Sequence, residues 1–454
     1  MNIEAATRWL EQHIDHSTWA ARSGRTGDVE LSLDRMHRFV AALGDPQAGL
    51  AVVHVTGTNG KGSTSRMITR LLMAEGLRVG TYSSPHLSRY NERFRIDDID
   101  VDDDLLASLL TRMAATEESL GENLMPFEVL TGAAFTLFAE QRVDVAVVEV
   151  GVLGRFDATN VADGRVAVIT NIGFDHTSGD GDWQLRIATE KAGIVKPGAH
   201  LVVGDVDPRF DDAFAAQMPG AVWRLGRDIT VLADAPTPGG RRCTISTPWQ
   251  ELDGLALPLH GAHQTANCAL ALTAAGAFLG RALSAAHVTA GLAAVRMPAR
   301  LEAIVVGAVG PVGVAGADAG RYGDLGPTVI LDGAHNPDAA AALAAALAEI
   351  PSTGRRTLVI GLLAGRDPRA MLLAVGAMGF DSIITCTPPT ARARPAAELA
   401  AAAVALGCFA TAIDDIGEAL STTITAASTD DQIVVTGSIY LVADARTWLL
   451  ARPG

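Results

Sequence analysis

Basic runs, long apolar spans and clustered cysteines are all missing from this sequence, and each absence removes a class of protein. No five or six consecutive Lys/Arg residues occur, and 36 Lys plus Arg stand against 51 Asp plus Glu, a formal charge of −15. A surplus of acid repels phosphate backbones and anionic lipid heads, so neither a nucleic-acid nor a membrane-surface partner is expected. Mean hydropathy is positive, +0.23, yet the longest apolar stretches, such as Ala339 to Ala348, are alanine-rich and shorter than the ~18 residues of a membrane span. They read as packed helices. Cys243, Cys268, Cys386 and Cys408 lie far apart without C-x-x-C spacing, which argues against a disulfide framework and against a thiolate zinc site. The last three sit in apolar segments and read as small core residues. Glu4 stands where a secretory signal carries basic residues, and no apolar core follows, so a cytoplasmic location is expected.

What is present is a chain of 454 residues, 48% hydrophobic and 19% charged, too apolar for disorder and long enough for two or three domains. Short β-branched runs alternate with longer helical patterns, the signature of an α/β protein with parallel sheets. Ala51 to Val55, Val79 to Ser83, Val143 to Val150 and Val166 to Thr170 read as strands of a first domain. Thr328 to Leu331, Thr357 to Ile360, Ser382 to Cys386 and Gln432 to Val435 read as strands of a second. A boundary near Pro298 divides the chain into residues 1–297 and 298–454. Glu302 to Thr328 is glycine-rich with little periodicity and reads as a loop or loose hairpin. Residues 202–259 mix Pro, Gly and short β-prone pieces and give no assignment.

The strongest chemical signal is Gly57-Thr58-Asn59-Gly60-Lys61-Gly62-Ser63-Thr64, between a strand and a helix. Glycines let backbone N–H groups converge on a phosphate, the helix start adds its positive dipole end, and Lys61 supplies a cation for the β- and γ-phosphates. Ser63 is then placed to ligate magnesium. The usual G-x-x-x-x-G-K-[ST] string is not met, because Val55 occupies its first position and Gly62 separates Lys61 from Ser63. Three further polar groups come directly after strands, where α/β proteins place ligands: Ser84-Pro85-His86, Glu149 after a valine run, and Asp175-His176-Thr177. A carboxylate after buried valines is costly without a cation, and magnesium with hard oxygen ligands would supply one. Gln264 and Asn267, three apart on an alanine and leucine helix, share one face and suggest a nucleotide contact.

The Gly57 to Thr64 octet resembles the nucleotide loop of the Mur-ligase superfamily, and its Lys-Gly-Ser form resembles the bifunctional dihydrofolate synthase/folylpolyglutamate synthase family. The likeness runs from Leu33-Asp34-Arg35 and Leu43-Gly44-Asp45-Pro46 to Thr436-Gly437-Ser438-Ile439-Tyr440. It implies a P-loop central ATPase domain joined to a smaller Rossmann-like carboxyl-terminal domain. It gives Thr58, Asn59, Gly60, Lys61, Gly62, Ser63, Thr64, Gln264, Asn267, Arg300 and Asp332 to ATP. Two magnesium sites are implied: Ser63 and Ser84 for one ion, Glu149 and His176 for a second. It makes Lys191, by itself an ordinary helix lysine, a carbamylated residue that helps hold the second ion. Ser84, Pro85, His86, Phe127, Thr131 and Asp157 go to the folate acid, with Phe127 and Asp157 on the pterin. His335, Ser438 and Tyr440 go to the incoming glutamate.

Three departures from the family pattern stand out: Leu153 where a glycine is usual, a longer gap from Arg300 to Asp332, and Arg366 in Gly365-Arg366-Asp367 where an aspartate-lysine-aspartate string is common. The expected activity is an ATP-dependent carboxylate–amine ligase, with Lys61, Glu149, His176, Lys191 and His335 in its catalytic set. It joins L-glutamate to dihydropteroate or to reduced folates through an acyl phosphate and acts as a monomer. A cell-wall Mur ligase is the nearest rival, but the 56 residues before Gly57 are fewer than its additional amino-terminal domain needs. A regulatory P-loop switch would carry an Asn-Lys-x-Asp string, which is absent. A degenerate relative without catalysis is the third alternative, kept open by Leu153 and Arg366.

Overall fold

A computed structural model describes residues 1–13, 32–174, 181–307 and 326–451. They form two compact units. The first takes Met1–Leu232, Ile245–Asp253 and Ala266–Val295, and the second takes Ala233–Thr244, Gly254–Thr265 and Arg296–Gly454.

The first unit is built on eight strands: β1 (Val52–Thr56), β2 (Val79–Tyr82), β3 (Phe94–Ile96), β4 (Ile99–Asp100), β5 (Val145–Glu149), β6 (Gly164–Asn171), β7 (His200–Asp205) and β8 (Ala221–Arg224). Their order across the sheet is β4-β3-β2-β5-β1-β6-β7-β8. Every residue of β1 and β5 is buried, as expected of strands covered by helices on both faces. Pairing is parallel from β2 to β8, while β3 and β4 close one edge in the antiparallel sense. One face is covered by helices Asp34–Ala42, Asp103–Leu120 and Pro126–Glu140. Met36, Phe39, Leu106, Leu109, Phe135 and Phe138 pack there with Tyr82, Phe94 and Val148. A separate core joins Ala188, Ile194, Leu201, Val203, Phe210 and Phe214.

Register brings several loops together. Val55 lies opposite Glu149 on one side and Val168 on the other, and Tyr82 lies opposite Val148. Ser83-Ser84, Gly57 to Lys61 and the turn after Glu149 therefore leave the sheet side by side at its carboxyl edge.

Residues 230–257, part of the stretch that gave no assignment, fold into a separate three-stranded sheet of β9 (Thr230–Thr237), β10 (Gly240–Ser246) and β11 (Glu251–Leu257). The second unit carries β12 (Glu302–Val305), β13 (Thr328–Leu331), β14 (Arg356–Ile360), β15 (Ser382–Thr385), β16 (Ala410–Ala412) and β17 (Gln432–Thr436), in the order β12-β13-β17-β14-β15-β16. Of the two readings of this stretch, loop or loose hairpin, Glu302–Val305 follows the hairpin: it pairs antiparallel with β13, and apolar Ala303, Ile304 and Val305 are buried on the sheet edge. Residues 308–325, within the long Arg300–Asp332 gap, lie outside the described residues. Cys243, Cys268 and Cys386 are buried, but Cys408 is only half-buried because it sits in the exposed turn before the edge strand β16. Among the described residues no helix is long and apolar enough to cross a membrane.

Candidate active site

The strand-to-helix turn after β1 is held from several sides. Lys61 is the first residue of helix Lys61–Ala74, and its Nζ donates to the carbonyls of Gly57 at 3.1 Å and Thr58 at 3.3 Å. Asn171 Oδ1, at the end of β6, accepts the N–H groups of Thr58 (3.0 Å) and Asn59 (2.9 Å). Thr170 Oγ1 donates to the Asn59 carbonyl at 2.6 Å. Gly60 is left-handed at φ +82°, and a side-chain carbon there would stand 2.5 Å from Asn267 Oδ1. Only glycine accommodates both demands. Asn267 thus lies on the loop, while Gln264 is buried one turn earlier on helix Ala262–Leu279.

Glu149 is 4% exposed at the end of β5. Its Oε2 accepts the Ser84 N–H at 3.1 Å, and a carbon added at Gly62 would stand 3.6 Å from the same oxygen. The carboxylate therefore sits between the Ser84 loop and the first turn of the Lys61 helix, where Ser63 and Thr64 are also buried. Glu149, Ser63 and Ser84 make an all-oxygen donor set, and Thr64 Oγ1 has no hydrogen-bond partner. This chemistry fits magnesium. Lys191 is not a solvated charge but 3% exposed, near the end of helix Trp183–Ala192, with its backbone packed on Gly154 of the turn after Glu149. Asp175, His176 and Thr177 lie outside the described residues.

That turn explains one departure from the family pattern. Leu153 is left-handed, φ +58°, so the backbone shape that suits glycine is kept by a leucine at a cost of about 1 kcal/mol. Its carbonyl accepts from Thr56 Oγ1 at 2.6 Å, which holds the conformation from β1.

Beside the turn lies a cluster of aromatic and polar side chains. The Phe127 and Tyr82 rings are 5.8 Å apart. The Phe127 ring presses on Gly151, where an added carbon would stand 2.6 Å from it. The Arg35 guanidinium donates to both oxygens of Glu128, and Glu128 Oε2 accepts the Met125 N–H at 2.7 Å, which fixes the helix start that carries Phe127. Thr131 is fully buried, its hydroxyl donating to the Phe127 carbonyl at 2.7 Å. Arg93 Nε donates to His86 Nδ1 at 2.9 Å. Burial, reinforced by the Arg93 charge, pushes the His86 imidazole down to about 4. The Glu92 carboxylate, although half-buried, is held below its usual range by the N–H groups of Leu87, Ser88 and Arg89. Asp157 is 8% exposed, and burial raises its pKa against donors from the turn itself.

In the second unit, Asp332 comes directly after β13, buried, with Oδ1 accepting from Ala334 N at 2.9 Å and Oδ2 from Leu301 N at 3.0 Å. Burial raises its pKa, opposed by the Arg300 charge. Arg300 is flanked by two left-handed residues, Ala299 at φ +57° and Leu301 at φ +51°, a strained setting of the kind found at functional sites. His335 Nδ1 donates to the Gly333 carbonyl at 3.0 Å. Ser438 is the buried cap of helix Ile439–Leu450, and Tyr440 receives a bond from Arg392 at 3.3 Å. Gly365-Arg366-Asp367 forms a turn in which Asp367 caps the next helix through Arg369 N at 2.9 Å.

Sequence reasoning did not single out Asn171 or Tyr82, which the structure places against the loop and against Phe127. Asn171 ends a buried strand one residue after Thr170, a position of the same kind as Glu149, and could have been found by that rule.

The fold and this site define a ligase of the Mur type: the Mur ligase middle domain matches residues 55–275, and the Mur ligase glutamate ligase domain matches residues 321–439. Folylpolyglutamate synthase of Lacticaseibacillus casei is 34% identical over 440 residues, covering 94% of this chain and 96% of the relative. Dihydrofolate synthase/folylpolyglutamate synthase of Escherichia coli is 31% identical over 426 residues, covering 93% and 92%. The solved structure of Mycobacterium tuberculosis folylpolyglutamate synthase, complexed with ADP and AMPPCP, superposes with a TM-score of 0.84 at 31% identity over the whole of both chains. The chain belongs to the dihydrofolate synthase/folylpolyglutamate synthase family.

Proposed function

We propose that this protein is an ATP-dependent ligase that joins L-glutamate to dihydropteroate, to the glutamyl chain of reduced folates, or to both. The observation that carries the reading is the juxtaposition of Lys61 at the head of its helix with the buried Glu149 and the Ser84 loop at one sheet edge. Family membership supports the same reaction.

Lys61 and the loop N–H groups bind the β- and γ-phosphates and orient the γ-phosphorus for the acid's carboxylate. A carboxylate oxygen bonds to that phosphorus as the bond to ADP breaks, giving an acyl phosphate. The α-amine of glutamate then bonds to the acyl carbon, the amine loses its proton and phosphate leaves, so the amide forms without a covalent enzyme intermediate. Ser63 and Ser84 would hold a first magnesium and Glu149 would reach toward a second, and the ions would supply charge neutralisation and a template for the phosphates. We assign His176 to a second magnesium site and Lys191, as a carbamate, to the same site. Phe127, Asp157, His86 and the Ser84-Pro85 loop hold the acid. Gln264, Asn267, Arg300 and Asp332 serve ATP, and His335, Ser438 and Tyr440 the glutamate. The tasks are divided near Pro298, with Ala233–Thr244 and Gly254–Thr265 grouped in the second unit, and the protein acts as a cytoplasmic monomer.

The test is phosphate release from purified protein with ATP, magnesium and glutamate, each pteridine acid offered separately. Release with one acid or both is expected and separates the two reactions. Absence of release with either removes the folate assignment.

A further inference from the structure

The middle of β1 holds a residue that a buried strand does not need. In Val52-Val53-His54-Val55 the imidazole is fully buried among valines, and a valine would fill the place without polar atoms to satisfy. Burial drives it down to about 3, so it is neutral and carries one ring proton. His54 Nε2 lies 2.9 Å from Thr159 Oγ1, and Thr159 Oγ1 lies 2.5 Å from Asp157 Oδ1. A carboxylate only accepts, so the hydroxyl donates to Asp157 and its oxygen accepts from His54. The ring proton is thereby placed on Nε2, and Nδ1 is buried without a partner. An unmet buried nitrogen is a cost of the order of 1 kcal/mol or more.

The carboxylate at the far end ties down the turn that carries Gly151. Thr159 N donates to Asp157 Oδ1 at 3.1 Å and Val152 N to Oδ2 at 2.9 Å. Val152 stands between Gly151, on which the Phe127 ring rests, and the left-handed Leu153.

We propose that Thr159 and His54 are positioning residues for the acid substrate: they form a relay from the interior of β1 to Asp157 that fixes the turn from Gly151 to Asp157 as one wall of its pocket. The inference rests on the folate-acid reading of that pocket. Neither residue touches the phosphate loop through these bonds, so the relay acts on the acid and not on ATP.

Thr159→Val keeps the shape and removes the hydroxyl. His54→Val removes the donor, and His54→Gln returns an N–H near the place of Nε2. Both valine variants are expected to raise KM for the acid roughly tenfold, the worth of about one buried hydrogen bond, and to leave KM for ATP within about twofold. His54→Gln recovers most of the loss. Hydrogen exchange at the Val152 amide quickens in both valine variants, a readout that does not depend on turnover. Unchanged KM for the acid with unchanged exchange, or an equal rise in both KM values, overturns the proposal. Should the valine variants fail to fold, Thr159→Ser, which keeps the hydroxyl, is compared with Thr159→Ala. Equal KM and exchange in that pair overturns it, and a wild-type KM with slow exchange in the serine variant alone supports it. A wild-type protein that turns over neither acid sinks the functional reading instead, and Val152 exchange still decides the relay.

Discussion

Gly151→Ala offers a direct test of the pocket wall, because its sign depends on a single ring. The φ of Gly151 lies outside the left-handed region, so the backbone accepts alanine. The obstacle is Phe127, whose Cζ, Cε1 and Cε2 would stand 2.6, 2.8 and 3.0 Å from the new carbon. Carbon atoms rest at about 3.5–4.0 Å, so the ring must retreat by about 1 Å. Tyr82 stands behind it at 5.8 Å between centroids, and the Arg35–Glu128 pair fixes its helix turn. Such overpacking costs about 1–3 kcal/mol, offset by the ~0.4–1 kcal/mol that alanine contributes by narrowing the unfolded ensemble. The net effect is a loss of about 1 kcal/mol. In a Phe127→Ala background the steric part vanishes, and the same substitution becomes stabilising by about 0.5 kcal/mol. Chemical denaturation of the four proteins of the cycle measures the coupling, expected at about 1–3 kcal/mol, and KM for the acid should rise in Gly151→Ala while KM for ATP holds. Additivity within ~0.3–0.5 kcal/mol would refute the packing argument.

Lys61→Ala and Glu149→Gln should each abolish phosphate release while circular dichroism stays that of the wild type; full activity in either refutes the site. Native mass spectrometry of bicarbonate-treated protein should show the added mass of one CO₂, absent in Lys191→Ala, and that variant should lose activity; no added mass and an active variant remove the carbamate. The depressed histidines set a pH dependence. His86 falls from 6.5 to about 4 and His263 likewise, so the unfolded chain binds more protons across that window and stability rises with pH through it. The contribution is complete above about pH 6.5 and is lost as pH falls toward 4. His86→Gln should flatten the slope of unfolding free energy against pH by close to one proton between those values, and an unchanged slope contradicts the burial of His86.

The architecture was legible where periodicity and register agree. Valine runs gave β1, β5 and β6 to within two residues. β12 was not legible because its four residues border a glycine-rich stretch, and an edge strand of that length carries little pattern of its own. The strands β9 to β11 are seven or eight residues long, but Asp234, Pro236, Arg241, Arg242, Asp253 and Gly254 interrupt their apolar residues, so no strand pattern stands out. At the site, sequence order identifies the residues at which each strand ends and its loop begins, hence Lys61, Ser84 and Glu149. It cannot say which way a hydroxyl turns: Thr131 and Thr159 both face protein partners, which only coordinates reveal. Nor does a leucine in place of glycine disclose that the left-handed turn survives at residue 153.

The phosphate loop starts out already occupied by its own chain. Asn171 takes two of its N–H groups, and the Lys61 ammonium rests on two loop carbonyls. A ligand that takes the Thr58 or Asn59 N–H group or the Lys61 ammonium exchanges partners there, so at these groups bonds broken largely cancel bonds made. A small anion that meets only one or two of these groups gains almost nothing by displacing them. A triphosphate that engages several at once, with its base held elsewhere, can repay the exchange. The loop thus acts as a threshold: it stays folded when empty, and it discriminates by the number of simultaneous contacts more than by charge. That is a useful property in a chain bearing a net −15, whose long-range field does little to gather anions.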